Sequence, residues 1–294
     1  MRGLIVVNST SKLISVDEKV ESLVNEFSKR SIAIDVYKAS ELNLSYKNSS
    51  YQIDLKYNYD FCIFLDKDKY LAHALSTKMR LFNNPNAIIN CDDKMLTYQI
   101  LNSHNIKTPL TIPSPLNYKN TVDETFLNHV KNTLSYPLVA KKVYGSLGKD
   151  VCLINSDKEL LDFYTRFINF PHIYQEYIGY KFGTDYRVIT IDKKVVAAME
   201  RRNDNDFRSN IALGGHGRKI TLTQDYIELA EKVSTILDLD YAGIDILSGR
   251  DGEPILNEVN SNAFFKEIES VSKINISSLL VDYIIDEINH NRSP

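Results

Sequence analysis

Up to residue 89, continuous apolar runs of strand length alternate with stretches whose apolar residues recur at helical spacing. Leu4 to Val7 reads as a strand buried on both faces, and Val16, Val20, Leu23, Val24 and Phe27 form the stripe of the helix after it. Ile32 to Tyr37 and Phe61 to Leu65 are the next strands, and a helix is expected from Tyr70 to Met79. Strand, helix, strand and helix in that order predict a small parallel α/β lobe over residues 1–89.

From Asn90 to Leu101 the spacing predicts one helix, with Asp92 and Asp93 in a first turn whose dipole favours them. Lys94 opposes that dipole unless it reaches an anion such as a phosphate; the alternative is an exposed lysine at small cost. Pro109, Pro113 and Pro115 predict a linker. Pro137 to Ile154 reads as two strands around Tyr144-Gly-Ser-Leu-Gly148, the first strand carrying Lys141. Gly145, Ser146 and Gly148 form a loop whose backbone amides can approach a phosphate, although many hairpins carry such a loop. It is no P-loop, because the spacing GxxxxGK[ST] is absent.

Further strands are predicted from Ile173 to Ile178 and from Val195 to Met199, the latter after a turn at Asp192 to Lys194. The polar run from Glu200 to Asn210 holds Arg201, Arg202 and Arg208 and leads into glycines 214, 215 and 217. It predicts either a cation-lined flap able to close over phosphates or a plain surface loop. Tyr226, Leu229, Ala230, Val233, Ile236 and Leu237 share a helical face with Thr223 as cap, and Leu279 to Ile288 makes a final amphipathic helix.

The stretch Tyr241 to Asn260 is two apolar strands around Asp251-Gly252, a dipeptide suited to tight hairpins. Folding about that midpoint sets Asp245 opposite Glu258, with Asn260 on the same face as Glu258. Facing like charges are destabilising. They make sense around a hard cation with oxygen ligands, while solvation or pairing with lysine and arginine is the alternative.

Composition narrows the field. A chain of 294 residues with a formal charge of −3 and a pI near 6.1 shows no sign of nucleic-acid or membrane binding. Cys62, Cys91 and Cys152 are odd in number and widely spaced, so they read as reduced residues of a cytoplasmic protein without a zinc site. No stretch reaches transmembrane length.

Taken in order, Lys94, Lys141, the glycine loop, Gln175-Glu-Tyr-Ile178, Asp206-Phe-Arg-Ser-Asn210 and the Asp245/Glu258/Asn260 trio resemble the ATP-grasp superfamily, specifically its RimK-type amino-acid ligases. The likeness covers about Asn90 to Ile288. It implies an α/β ATP-grasp fold with a Rossmann-like pre-ATP-grasp domain at 1–89, a central lobe at 90–172 and a C-terminal lobe at 173–294. It also implies that Lys94 and Lys141 contact ATP phosphates, and that Gln175, Glu176, Tyr177 and Ile178 hold adenine and ribose. Asp185, Ser209 and Asn210 would meet the nucleotide, Arg208 the transferring phosphoryl group, and Asp245, Glu258 and Asn260 one or two magnesium ions, for which manganese can substitute. Arg187, Arg202, Ser261 and Asn262 are candidates for substrate contact.

The implied chemistry is phosphorylation of a carboxylate by ATP, followed by displacement of phosphate by an amine such as that of glutamate. It asks for positioning and charge neutralisation and no protein nucleophile, and none is found. His216 is a candidate base for the amine. The chain departs from the family where Ser261-Asn-Ala-Phe-Phe-Lys266 replaces a Ser-Pro-Gly-type turn. Alternatives are a catalytically silent nucleotide-binding protein on the same fold and a ligase modifying a ribosomally made peptide. The acceptor is a small molecule, a peptide or a protein, and pairing of subunits stays open.

Overall fold

The computed structural model describes residues 1–10, 13–47, 49–146, 148 and 150–290. Its first elements are β1 (Arg2–Val7), α1 (Ile14–Lys29), β2 (Ala33–Lys38), β3 (Ser45–Lys47), β4 (Ser50–Gln52), β5 (Phe61–Leu65), α2 (Lys69–Ser76), β6 (Arg80–Phe82) and α3 (Pro85–Asp92). They are followed by α4 (Lys94–Asn102), β7 (Thr111–Pro113), α5 (Glu124–Thr133), β8 (Leu138–Lys142), β9 (Val151–Ile154), α6 (Asp157–Arg166) and β10 (His172–Glu176). The last are β11 (Thr184–Ile191), β12 (Lys194–Arg202), β13 (His216–Lys219), α7 (Gln224–Ile236), β14 (Tyr241–Ser248), β15 (Pro254–Asn260), α8 (Lys266–Ser272) and α9 (Ile276–His290).

The first sheet is parallel, as the alternating pattern predicts; its order is β2-β1-β5-β6, with the short β6 not among the expected strands. Every residue of β5 is buried, which is why it carries no polar alternation. A second, antiparallel sheet runs β7-β10-β8-β9 and packs on α5 and α6 through residues such as Leu127, Phe163 and Tyr174. The third, also antiparallel, runs β13-β12-β11-β14-β15. One of its faces lies under α7, and the other joins a core that also contains Ile5, Leu23, Phe27 and Phe61 of the first lobe.

Several local expectations change. The single helix from Asn90 is two: Asp93 is extended and caps α4 by accepting the amides of Met95 and Leu96 at 3.0 Å, so Asp92 ends the preceding helix. The proline-marked linker contains an edge strand, β7, whose terminal Pro113 needs no ladder donor there. Thr223 occupies the cap position of α7, but its hydroxyl donates to Asp225 and caps no backbone amide. β12 extends to Arg202 and β13 pairs with it, which takes Arg201 out of any flap and into a sheet. Among the described residues no helix is long and apolar enough to cross a membrane, and the three cysteines are free.

Candidate active site

β14 and β15 pair with Asp245 opposite Glu258 and Gly243 opposite Asn260. The turn reaches that register by an unexpected route. The amide of Gly249 donates to the carbonyl of Glu253 at 2.8 Å, enclosing Arg250, Asp251 and a Gly252 at φ 89°. That loop alone would set Asp245 opposite Asn257. A bulge at the Asp245/Ile246 step takes up one extra residue on β15 and restores the facing carboxylates.

The period of two puts Asp185 and Arg187 of β11, Arg201 of β12 and Asp245 of β14 on one face, where they form a buried network. Arg187 grips Asp245 with two nitrogens, Nη2 at 2.8 Å from Oδ2. Arg201 reaches Asp245 at 3.0 Å and Asp185 at 2.5 and 2.7 Å. Burial alone would raise the Asp245 carboxyl; the two guanidinium groups outweigh it and hold the value below the usual range. Gly243 makes room for this crossing, since a Cβ there would stand 3.3 Å from Arg187 Nη1 and 2.7 Å from the Ala263 side chain.

The two candidate lysines approach the same carboxylates. Lys94, in the first turn of α4, places Nζ 3.2 Å from Glu258 Oε1 and 2.9 Å from the Gly145 carbonyl. Lys141, on β8, bonds the Tyr98 hydroxyl at 3.1 Å, and that hydroxyl donates to the Asn257 carbonyl at 2.5 Å. Burial draws the Lys141 ammonium down to about 8, against the pull of Glu258 and Asp245. Lys94, Lys141, Arg187 and Arg201 thus oppose Asp185, Asp245 and Glu258, leaving an excess of positive charge suited to an anion.

A cleft runs past these groups, bounded by Gly145, Ser146 and Gly148 on one side and Arg208, Ser209 and Asn210 on the other. The two segments touch. Arg208 Nη1 donates to the Gly148 carbonyl at 2.8 Å and to the Val151 carbonyl at 3.2 Å, while its other nitrogens hold Asp206. Gly148 has φ 69°, and a Cβ on it would stand 2.8 Å from Asn210 Oδ1. Leu147 and Lys149 of the glycine loop lie outside the described residues. At the far end Gln175, Glu176, Tyr177 and Ile178 line the cleft with Asp185. The Gln175 amide nitrogen is committed to Thr111 at 2.6 Å, and Glu176 Oε1 accepts the Leu110 amide at 2.9 Å.

A second cavity of about 880 Å³ adjoins the cleft, sharing Gly145, Ser146, Arg201, Asn210 and Glu258 with it. Arg187, Asn260, Ser261 and Asn262 line this cavity, as do Asn8 and Asp66. The last two directly follow β1 and β5, the neighbours at which strand order reverses, and bond each other at 3.2 Å. Arg202 lies in neither space: its side chain is 54% exposed and paired with Asp204, because alternation along β12 turns it away from Arg201. His216, on β13, is exposed.

The donor set of Asp245, Glu258 and Asn260 fits a hard divalent cation, being oxygen-bearing throughout. Among the described residues no group of three or more His, Cys, Asp or Glu side chains is placed to hold a metal, and a cation held by Asp245 and Glu258 would take the Asn260 amide as its third protein ligand. One end of it can: Asn260 Nδ2 is buried without a partner among the described residues, and a half-turn of the amide presents its oxygen there.

Sequence reasoning missed Tyr98, although it stands four residues after Lys94 and so on the same helical face. It also missed Lys19 and Asn83. Lys19 is buried on α1, where desolvation draws its ammonium to about 7; it donates to Asn262 Oδ1 at 2.9 Å and the Ala263 carbonyl at 2.8 Å. Asn83 donates to the carbonyls of Tyr241 and Ser261 and accepts the amides of Asp240 and Tyr241. No local signal marks either residue, since both act across lobes.

A family model described as a RimK-like ATP-grasp domain matches residues 91–284. Human N-acetylaspartylglutamate synthase A is 33% identical over 216 residues, 72% of this chain and 54% of that protein. The chain therefore spans about half the length of that relative. The Mycoplasma pneumoniae protein called uncharacterized protein MG012 homolog is 31% identical over 280 residues, 93% of this chain and 94% of that one. Among solved structures, D-alanine–D-alanine ligase from Bacillus anthracis complexed with ATP superposes with a TM-score of 0.76 at 19% identity, covering 99% of this chain and 98% of that one. At that identity the likeness speaks to the fold alone.

Proposed function

The chain belongs to the RimK-like ATP-grasp family, and from that premise we propose that it is an ATP- and magnesium-dependent carboxylate-amine ligase. The observation that carries this reading is the convergence of two buried lysines, Lys94 and Lys141, on the carboxylate of Glu258 beneath a glycine loop. Such a cluster is costly to build for stability alone and is suited to polyphosphate.

In this reading Lys94 and Lys141 hold phosphate oxygens, and residues Gln175 to Ile178 with Asp185 take the nucleoside. Gln175 serves through its place in the wall, its amide being spent on Thr111. Ser209 and Asn210 close over the nucleotide while Arg208 stabilises the transferring phosphoryl group. Asp245, Glu258 and Asn260 would hold two magnesium ions, or manganese in their place, which when bound neutralise phosphate charge. A carboxylate oxygen of the first substrate attacks the γ-phosphorus and ADP leaves; an amine then attacks the acyl phosphate and phosphate leaves, giving an amide. The name of the human relative places glutamate in its product, and glutamate is the amine assigned here first. The carboxylate partner is a small molecule, a peptide or a protein.

The test is phosphate release from ATP with a panel of carboxylates that includes N-acetylaspartate, each with and without a panel of amino acids. Release that needs both partners is the expected result, and Glu258→Gln should reduce it by roughly 100-fold or more. A second reading, a nucleotide-binding protein without turnover, draws on Asp245, both of whose oxygens are engaged by arginines. ATP binding with no release above background across the panel would favour it.

A further inference from the structure

The cavity beyond the phosphate cleft has an uneven charge balance. Its cations are each matched: Lys67 with Asp92 at 2.5 Å, Lys266 with Glu18, Arg187 with Asp245, and Arg201 with Asp185 and Asp245. Of its acids, Glu258 meets Lys94, and Asp66 accepts from Asn8 with both oxygens. Glu267 stands apart: among the described residues its carboxylate forms no ion pair and no side-chain hydrogen bond, and the polar group beside it is the backbone amide of Gly217.

Its placement is specific. Glu267 and Glu269 both lie in the first turn of α8, where a helix dipole favours acids. Glu269 turns inward and accepts the amide and hydroxyl of Ser277 at 2.8 and 3.1 Å, whereas Glu267 turns to the cavity wall. Gly217 lets it lie flat there, since a Cβ on that glycine would stand 3.0 Å from Glu267 Oε1. The helix follows directly on Ser261 to Lys266, the segment in which the chain departs from its family's usual turn.

We propose that Glu267 is the group that receives the amine: its carboxylate accepts a hydrogen bond from the substrate ammonium and takes one of its protons. The inference rests on the ligase reading. The neutral amine's lone pair forms the C–N bond to the acyl phosphate carbon, and the C–O bond to phosphate breaks. Phosphate leaves with that electron pair and takes a second nitrogen proton, and Glu267 returns its own to solvent. The surroundings suit the role. Burial raises the Glu267 carboxyl above its usual value, opposed by Arg201 on β12, Arg187 on β11 and His216 on β13. Lys266, beside it on α8, is turned to Glu18.

The experiment compares two amine probes on the full chain with ATP, magnesium and the carboxylate panel. L-Glutamate arrives as an ammonium and needs deprotonation; hydroxylamine is already neutral at neutral pH and captures an acyl phosphate as a hydroxamate. With L-glutamate, Glu267→Gln should lose turnover by roughly 100-fold, and with hydroxylamine it should stay within about twofold of wild type. Glu267→Asp, which keeps the acid, should fall between. Unchanged ADP affinity and thermal melting exclude a folding defect. Equal loss with both probes, or no loss with either, overturns the role of Glu267 while the ligase reading stands. Wild-type protein that makes neither amide nor hydroxamate from any acid of the panel overturns both.

Discussion

Lys141 shows how burial sets a side chain's task. Its value of about 8 lies below the ordinary 10.5, because burial penalises the protonated form. Between those values the unfolded chain binds more protons than the folded one, and this residue's contribution to stability therefore rises with pH across that window. Nucleotide binding runs the other way, because phosphate oxygens need the ammonium. ADP affinity, measured by titration calorimetry, should fall as pH climbs through about 8, and Lys141→Met should bind weakly with that slope removed. A slope that persisted in the variant would assign it elsewhere. At this scale the chain was legible where the grammar is local: strand alternation puts Glu258 and Asn260 on one face, while the register that sets Asp245 opposite Glu258 comes from a bulge that the turn residues did not announce. The arginines that clasp Asp245 were not, because their approach depends on which strands β11 neighbours. Glu267 was hidden because no turn signal announces where α8 begins.

Among elements, the parallel lobe and the two hairpins follow the sequence pattern, while boundaries shift wherever tertiary contact decides. β12 continues into a polar run because β13 pairs with it, and Asp93 splits a stretch whose spacing alone is continuous. The contact between the β8–β9 loop and the Arg208 segment is the clearest case of two elements fixing each other. Gly148→Ala would force a side chain into φ 69° and against Asn210 Oδ1. The cost expected is about 1–2 kcal/mol, felt as roughly tenfold weaker ADP binding with little change in the melting of the sheets. Unaltered ADP affinity would mean that the two segments part before nucleotide enters.

Taken whole, the molecule divides less cleanly than its chain order suggests. Ile5, Leu23, Phe27 and Phe61 share a core with Ile189, Tyr241 and Leu280, and Arg30, just after α1, bonds Asp282 and Ser278 of α9. The first lobe is thus built into the wall of the candidate site. Asn83→Ala would remove the four hydrogen bonds that its side chain now makes to backbone groups, two amides and two carbonyls, most of them buried. A loss of about 3 kcal/mol in urea unfolding is expected, and a loss under about 0.5 would refute the role given to this contact. The same side chain also decides how the β14–β15 hairpin breathes. A free hairpin frays from its open end; here that end is stitched by one amide to both Tyr241 and Ser261. Opening must start at the exposed tip around Arg250 to Gly252, so amide exchange should slow steadily toward Asp245 and Glu258, the reverse of an isolated hairpin's order.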